Sequence, residues 1–203
     1  MKSLIIAATA AASLIASTAS AQQAAAPAQP QNPGPQIPGL CVFHNARLLA
    51  QSSVGQAVDA RMQQLAQEVQ GELAPYAQSL QTEAQSLQSS GASLPADQLQ
   101  QRRQALQQRA QEAQQLEATR ENELRYTLAT QRQAITTALS PILVAVYQER
   151  GCGMLIDRES VFIMNPAHDI TELAIQRLNT ALPTLSFNRL QVPAQQPAAA
   201  AAN

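Results

Sequence analysis

The sequence predicts an α+β protein in which a small three-stranded sheet body is interrupted by a long antiparallel α-helical coiled-coil hairpin. Three observations lead there. Apolar residues recur at helical spacing over two long runs, 54–90 and 99–146, separated by one break at 89–95 whose Ser, Gly and Pro stop a helix. Short apolar runs suited to strands lie before the first helical run and after the second. Aromatic residues are 3 % of 203 and tryptophan is absent, so a large core is not expected. Helices this long with a single turn between them cannot close into a compact bundle. They project as an arm.

In chain order, residues 1–21 read as a secretory signal: Lys2, an apolar run from Leu4 to Ile15, then Ala19, Ser20 and Ala21, with cleavage between Ala21 and Gln22. That places the mature chain outside the cytoplasm. Residues 22–38, rich in Ala, Gln and Pro, read as a flexible leader, and 191–203 as a tail of the same kind. The body is assigned to 39–53 and 147–190, and the arm to 54–146.

Leu40, Cys41, Val42 and Phe43 read as a buried strand, with helix from about Ala46. Along the first arm the stripe is Met62, Leu65, Val69, Leu73, Tyr76, Leu80, Ala84 and Leu87, an eleven-residue repeat. The second arm repeats it at Leu124, Leu128, Ile135, Leu139, Ile142 and Val146, interrupted by Gln131. Such a period favours straight or slightly right-handed winding, and matching periods predict that the arms pack on each other. Pro75 and Pro141 each remove a helical hydrogen bond, so kinks are expected there, with Pro75 a candidate hinge. Gly91 suits a helix C-cap, and Ser93, Pro95 and Asp97 a helix start.

Past the arm, Gly151 and Gly153 stop the helix, and 154–157 and 160–164 read as two strands around a turn at Arg158 and Glu159. Asp169 and Glu172 are expected to cap a closing helix in a capping box, with Leu173, Ile175, Leu178 and Leu182 on its apolar face. Three strands and one or two helices make a meagre core, which self-association would enlarge. Cys41 and Cys152 flank the arm, and in an exported protein they are expected to pair.

Several classes of chemistry are unsupported. A net charge of −1 gives no electrostatic case for nucleic acid. Two cysteines and the scattered His44 and His168 make no metal-ligand spacing. No nucleophile motif or phosphate loop is present, so no cofactor and no enzymatic activity are expected. His44 reads as a structural residue at a strand exit.

Residues 40–179 carry a family resemblance. Cys41-Val42-Phe43-His44-Asn45-Ala46-Arg47-Leu48-Leu49, followed by Ser53-Val54-Gly55-Gln56-Ala57-Val58, resembles the strand and helix entry of the Skp/OmpH periplasmic chaperones. Gly151-Cys152-Gly153-Met154-Leu155-Ile156-Asp157, then Val161-Phe162-Ile163 and Asp169-Ile170-Thr171, resembles the family's return to the body. The resemblance implies a homotrimer whose arms surround a cavity, holding unfolded outer-membrane proteins without ATP. On that reading Met62, Leu65, Tyr76, Leu80, Arg102 and Arg103 are candidate client contacts, although a stripe at helical spacing is more often a seam. The family's basic members have lysine-rich arms, whereas the only lysine here is Lys2, which weakens the case for lipopolysaccharide or a membrane surface as partners. The competing expectation is a periplasmic coiled-coil structural or adaptor protein of the cell envelope.

Overall fold

The structure, a computed structural model, describes residues 34–193. The signal segment, its cleavage site at Ala21 and Gln22, and residues 22–33 and 194–203 lie outside the described residues. The chain runs β1 (Leu40–Phe43), α1 (Asn45–Gln51), α2 (Ser53–Ser90), α3 (Ala96–Glu149), β2 (Met154–Asp157) and α4 (Thr171–Ala181), with short 3-10 turns at Gly91–Ser93, Arg158–Ser160 and Pro166–His168.

β1 and β2 pair in parallel with Leu40 opposite Met154 and Phe43 opposite Asp157, so the whole hairpin is inserted between two adjacent strands. On its other side β1 takes one bridge, Val42 to Asp169, where the Ile170 N–H donates to the Val42 carbonyl at 3.0 Å. The sheet therefore has two strands and not the expected three. Residues 160–164 form no strand: Phe162 is fully exposed and Ile163 largely so. A strand needs a partner ladder, and among the described residues no strand pairs with that segment. The turn at Arg158 is nevertheless built locally, with the Glu159 N–H donating to Asp157 Oδ1 at 2.9 Å and Arg158 bonding the Val161 carbonyl.

The core gathers Cys41 and Phe43 of β1, Leu48 of α1, Val54 and Val58 of α2, Ile135, Leu139 and Val146 of α3, and Ile170, Ala174, Ile175 and Leu178 around α4. It lies where the arm meets the sheet. Cys41 and Cys152 are joined by a disulfide, Cα atoms 5.7 Å apart, closing a loop that contains both arms.

The α1–α2 corner depends on Gly55. A Cβ there would stand 1.8 Å from the Leu49 carbonyl oxygen, so no other residue fits without moving the backbone. Ser52 caps α2 by accepting from the Gly55 N–H at 3.2 Å. At the far end of α3, Gly151 has φ +63° and the chain leaves in a paired 5→2 and 6→1 closure, Gly151 N–H to Gln148 O and Cys152 N–H to Tyr147 O.

Other termini follow the sequence reading only in part. Gly91 is the C-cap of α2 as expected, with helical φ and its N–H bonded to the Leu87 carbonyl, and it is buried so closely against Leu99 that a Cβ would stand 3.3 Å from that side chain. The Ser93 hydroxyl turns back to the Ser90 carbonyl, and α3 begins after Pro95 with Asp97 in its first turn. At α4 the capping box does not form, because the N-cap falls on Ile170, whose side chain makes no cap; Asp169, one residue earlier, still accepts from the first helical amide, the Thr171 N–H, at 2.8 Å. Glu172 does not reach back. Its carboxylate is held by Arg47 at 2.9 Å, and Arg47 also holds Asp169 at 3.1 Å, so the charge of α1 outcompetes the local amide.

Residues 34–38, expected in the flexible leader, are bonded to the body. The Ile37 N–H donates to His168 Nε2 at 3.2 Å and Asn165 Nδ2 to the Gly34 carbonyl at 3.0 Å. His168, buried, joins Leu40 O through Nδ1 at 3.0 Å, which assigns the Nδ1–H tautomer.

Candidate functional site

α2 and α3 run antiparallel, with Glu72 beside Arg120 and Gly91 beside Leu99. At about 1.5 Å per residue the 38 residues of α2 extend about 57 Å. Their seam is not uniform. Near the body Val54, Val58, Leu65 and Val69 of α2 are buried, as are Ile135, Leu139 and Val146 of α3. From Gln70 to Ser90 no residue of α2 is buried, and none of α3 before Glu123. Leu73, Leu80 and Leu87 of α2 and Leu99, Leu106 and Leu116 of α3 are only half-buried, so the seam is left half-open. Ala and Gln, which dominate the flanks, are too short or too polar to cover it.

This corrects two details of the stripe. Leu65 is 1 % exposed and belongs to the seam, so it is closed to any client in this chain. Tyr76 and Ala84 lie at the exposed rim of the seam and not within it; Tyr76 is 52 % exposed. Both α2 through Pro75 and α3 through Pro141 continue as helix.

Two shallow depressions lie on either side of the distal seam and meet at Tyr76, Leu80 and Ala113. One continues over Leu73, Ala74, Ala77 and Ala110; the other reaches Leu116, Arg109 and Glu112. Met62 is half-buried near the base, while Arg102 and Arg103 are exposed near the tip. The structure therefore brings Tyr76 and Leu80 together and leaves Met62, Arg102 and Arg103 apart from them.

A second feature had no counterpart in the sequence reading. After α4 the chain crosses onto the arm base as a strap, residues 183–193, with Leu185 and Phe187 packed on the core and alternate residues turned to solvent. Arg61 Nε of α2 donates to the Phe187 carbonyl at 3.2 Å, and the Leu190 N–H donates to Thr127 Oγ1 of α3 at 2.8 Å. Arg189 reaches Glu72 of α2 at 2.8 and 3.0 Å and lies 3.0 Å from Glu123 of α3. Arg120 completes the square, bonding Glu123 and pairing with Glu72 at 2.9 Å.

The square sets two protonation equilibria. The Arg189 hydrogen bond holds the Glu72 carboxyl below its ordinary range, against a smaller opposing effect of burial. For Arg120, burial alone would lower the pKa, but the hydrogen bond and charge of Glu123, with those of Glu72, raise it. The only sequence signal for the strap was negative. Glu123, Thr127 and Gln131, all buried, interrupt an otherwise apolar face and require polar partners there.

Among the described residues no three His, Cys, Asp or Glu side chains are grouped to hold a metal ion, and no helix is long and apolar enough to cross a membrane. What the arm can offer chemically is contact: apolar side chains, amides and a few charges on a rigid rod.

A small disulfide-tied α+β body carrying one long helical hairpin defines the class of protein. The family model described as "Outer membrane protein (OmpH-like)" matches residues 39–178, and the chain belongs to that family. A crystal structure from Caulobacter crescentus CB15, whose own assignment as an outer membrane chaperone (OmpH-like) is provisional, is similar at 34% identity and a TM-score of 0.71. The match covers 79% of this chain and 95% of that one. No individually curated protein gives a significant match.

Proposed function

We propose that this chain is an ATP-independent periplasmic holdase chaperone that binds unfolded outer-membrane proteins in a cavity between helical arms and prevents their aggregation. The observation that carries the reading is the half-open distal seam around Tyr76 and Leu80. An unfolded barrel protein presents alternating apolar residues and unpaired backbone, which aggregate when chains meet. A rod with many weak apolar and amide contacts holds such a chain by multivalency without selecting one sequence. A deep, closed pocket would instead select one ligand shape. Tyr76 and Leu80 are the central contacts in this reading, Met62 a lesser one, and Arg102 and Arg103 offer charge near the tip. Membership in the OmpH-like family and the chaperone description of the Caulobacter relative support the class and the periplasmic setting.

A cavity needs more than one arm, so the proposal includes a homotrimer. β2 pairs on one side only, and exposed Met154, Phe162 and Ile163 lie along and just beyond it. An open strand edge beside apolar side chains favours joining with a different, complementary surface of another copy, the head-to-tail contact that closes a three-fold ring.

The test dilutes a urea-unfolded outer-membrane barrel protein into buffer with and without the purified mature chain and follows light scattering. Suppression at a stoichiometric amount of trimer is expected. Unchanged scattering would refute the holdase reading and favour an envelope adaptor.

A further inference from the structure

The strap lies beyond residue 178, where the match to the family model ends, and its contacts are not those of a tail. We infer that the arm bases form a binding seat for an extended, arginine-bearing peptide, and that this chain's own residues 183–193 occupy it as a ligand in cis.

Four observations carry the inference. The seat draws on both helices, Arg61 and Glu72 from α2, Glu123 and Thr127 from α3. Two of its hydrogen bonds go to strap backbone, the Phe187 carbonyl and the Leu190 N–H, groups that any extended chain presents. Selectivity comes from Arg189, whose guanidinium fork spans two carboxylates on different helices and is 19 % exposed. Finally, the strap lies on the outside of the body: Thr184, Ser186, Gln191 and Val192 face solvent, and Asn188 is exposed but accepts from Arg61. Leu185 and Phe187 rest half-buried on a core whose fully buried members all come from residues 41–178, so its departure leaves those members in place.

The seat is complementary only while an arginine fills it. With the strap gone, Glu72 and Glu123 face Arg120 alone and the Thr127 hydroxyl loses its backbone donor. The groove left behind is acidic, apolar where Leu185 and Phe187 had packed, and able to take a backbone N–H. Its fitting ligand in trans is an unstructured peptide with apolar residues at alternate positions followed by an arginine. Tethering gives the strap a high effective concentration, so it resists such a peptide until its anchor is weakened. The inference does not rest on the chaperone reading.

The experiment uses the full mature chain and a fluorescent peptide of sequence TLSFNRLQVP, followed by anisotropy, with amide hydrogen exchange at Leu190 as a second readout. In wild type the Leu190 amide is expected to exchange at least tenfold slower than in the free peptide. In Arg189→Ala that protection falls, and the peptide binds at least tenfold more tightly to the variant than to wild type. A peptide with alanine in place of its arginine binds neither. An unprotected Leu190 amide in wild type would overturn the seat. Protection that survives Arg189→Ala without peptide binding would make the strap a fixed part of the fold and overturn its role as a ligand. Should Arg189→Ala unfold, as judged by circular dichroism, Arg189→Lys replaces it with the same expectations, since lysine keeps the charge and loses the fork.

Discussion

At the scale of single residues, Gly55 is the most tightly enclosed glycine among the described residues. Gly55→Ala drives a methyl group into the Leu49 carbonyl oxygen, and neither partner is a flexible side chain. Urea denaturation is expected to show a loss of about 3 kcal/mol, the upper end for overpacking, whereas Gly71→Ala, in open space on the same helix, should gain a few tenths to about 1 kcal/mol. Glu72 gives a pH signature. Its carboxyl is held below its ordinary value of 4.5, so the folded state binds fewer protons there than the unfolded state. The stabilisation is complete above pH 4.5 and lost as pH falls through the depressed value. Strap protection, followed by exchange at Leu190, should stay level from pH 7 to about 4.5 and fall below it, and Glu72→Gln should flatten the profile. The other charges at this site are Arg120, Glu123, Arg189 and, about one and three turns toward the body, Glu68 and Arg61.

At the scale of elements, the helices were legible and the second strand after the arm was not. The spacing from Met62 to Leu73 and from Leu128 to Val146 follows the packed faces, because burial against a neighbouring helix in the same chain imposes that period. Residues 160–164 have strand composition but no ladder in this chain, since composition reports only that a segment suits a pleated surface and says nothing of whether a partner faces it. The strap was illegible for a different reason: its affinity for the arm comes from ion pairs and backbone bonds between residues more than 60 positions apart, which leave no local period. Only the buried polar residues Glu123 and Thr127 marked its seat. The disulfide acts at this scale too. It closes a loop of 111 residues, so the double variant Cys41→Ala/Cys152→Ala is expected to lose about 2–5 kcal/mol, measured by urea denaturation with and without reductant. Reductant should shift the wild-type midpoint toward that of the double variant and leave the variant unmoved.

At the scale of the whole molecule, the chain divides its labour. Burial is concentrated where the sheet, α1, α4 and the arm bases meet, and it fades along the arm until the seam is half-open. A firm base with an open, weakly apolar rod suits capture of chains that have no fixed shape. Phe162 and Ile163 leave apolar surface exposed on the body, and in the proposed trimer that surface, at the opposite end from the open seam, is where copies join. Phe162→Asp is therefore expected to shift the mature chain from trimer toward monomer in light scattering coupled to size exclusion, while circular dichroism stays helical. Loss of helix in that variant, or an unchanged mass, would separate this surface from assembly.

The central claim, that the open part of the arm holds unfolded clients, is tested most directly by placing a photoreactive amino acid at position 76 and, as a control, at exposed Glu159 on the body turn. On irradiation with a urea-diluted outer-membrane barrel protein, position 76 is expected to cross-link strongly and position 159 weakly. Cross-links from 159 alone, or none from 76 while aggregation is still suppressed, would contradict the account.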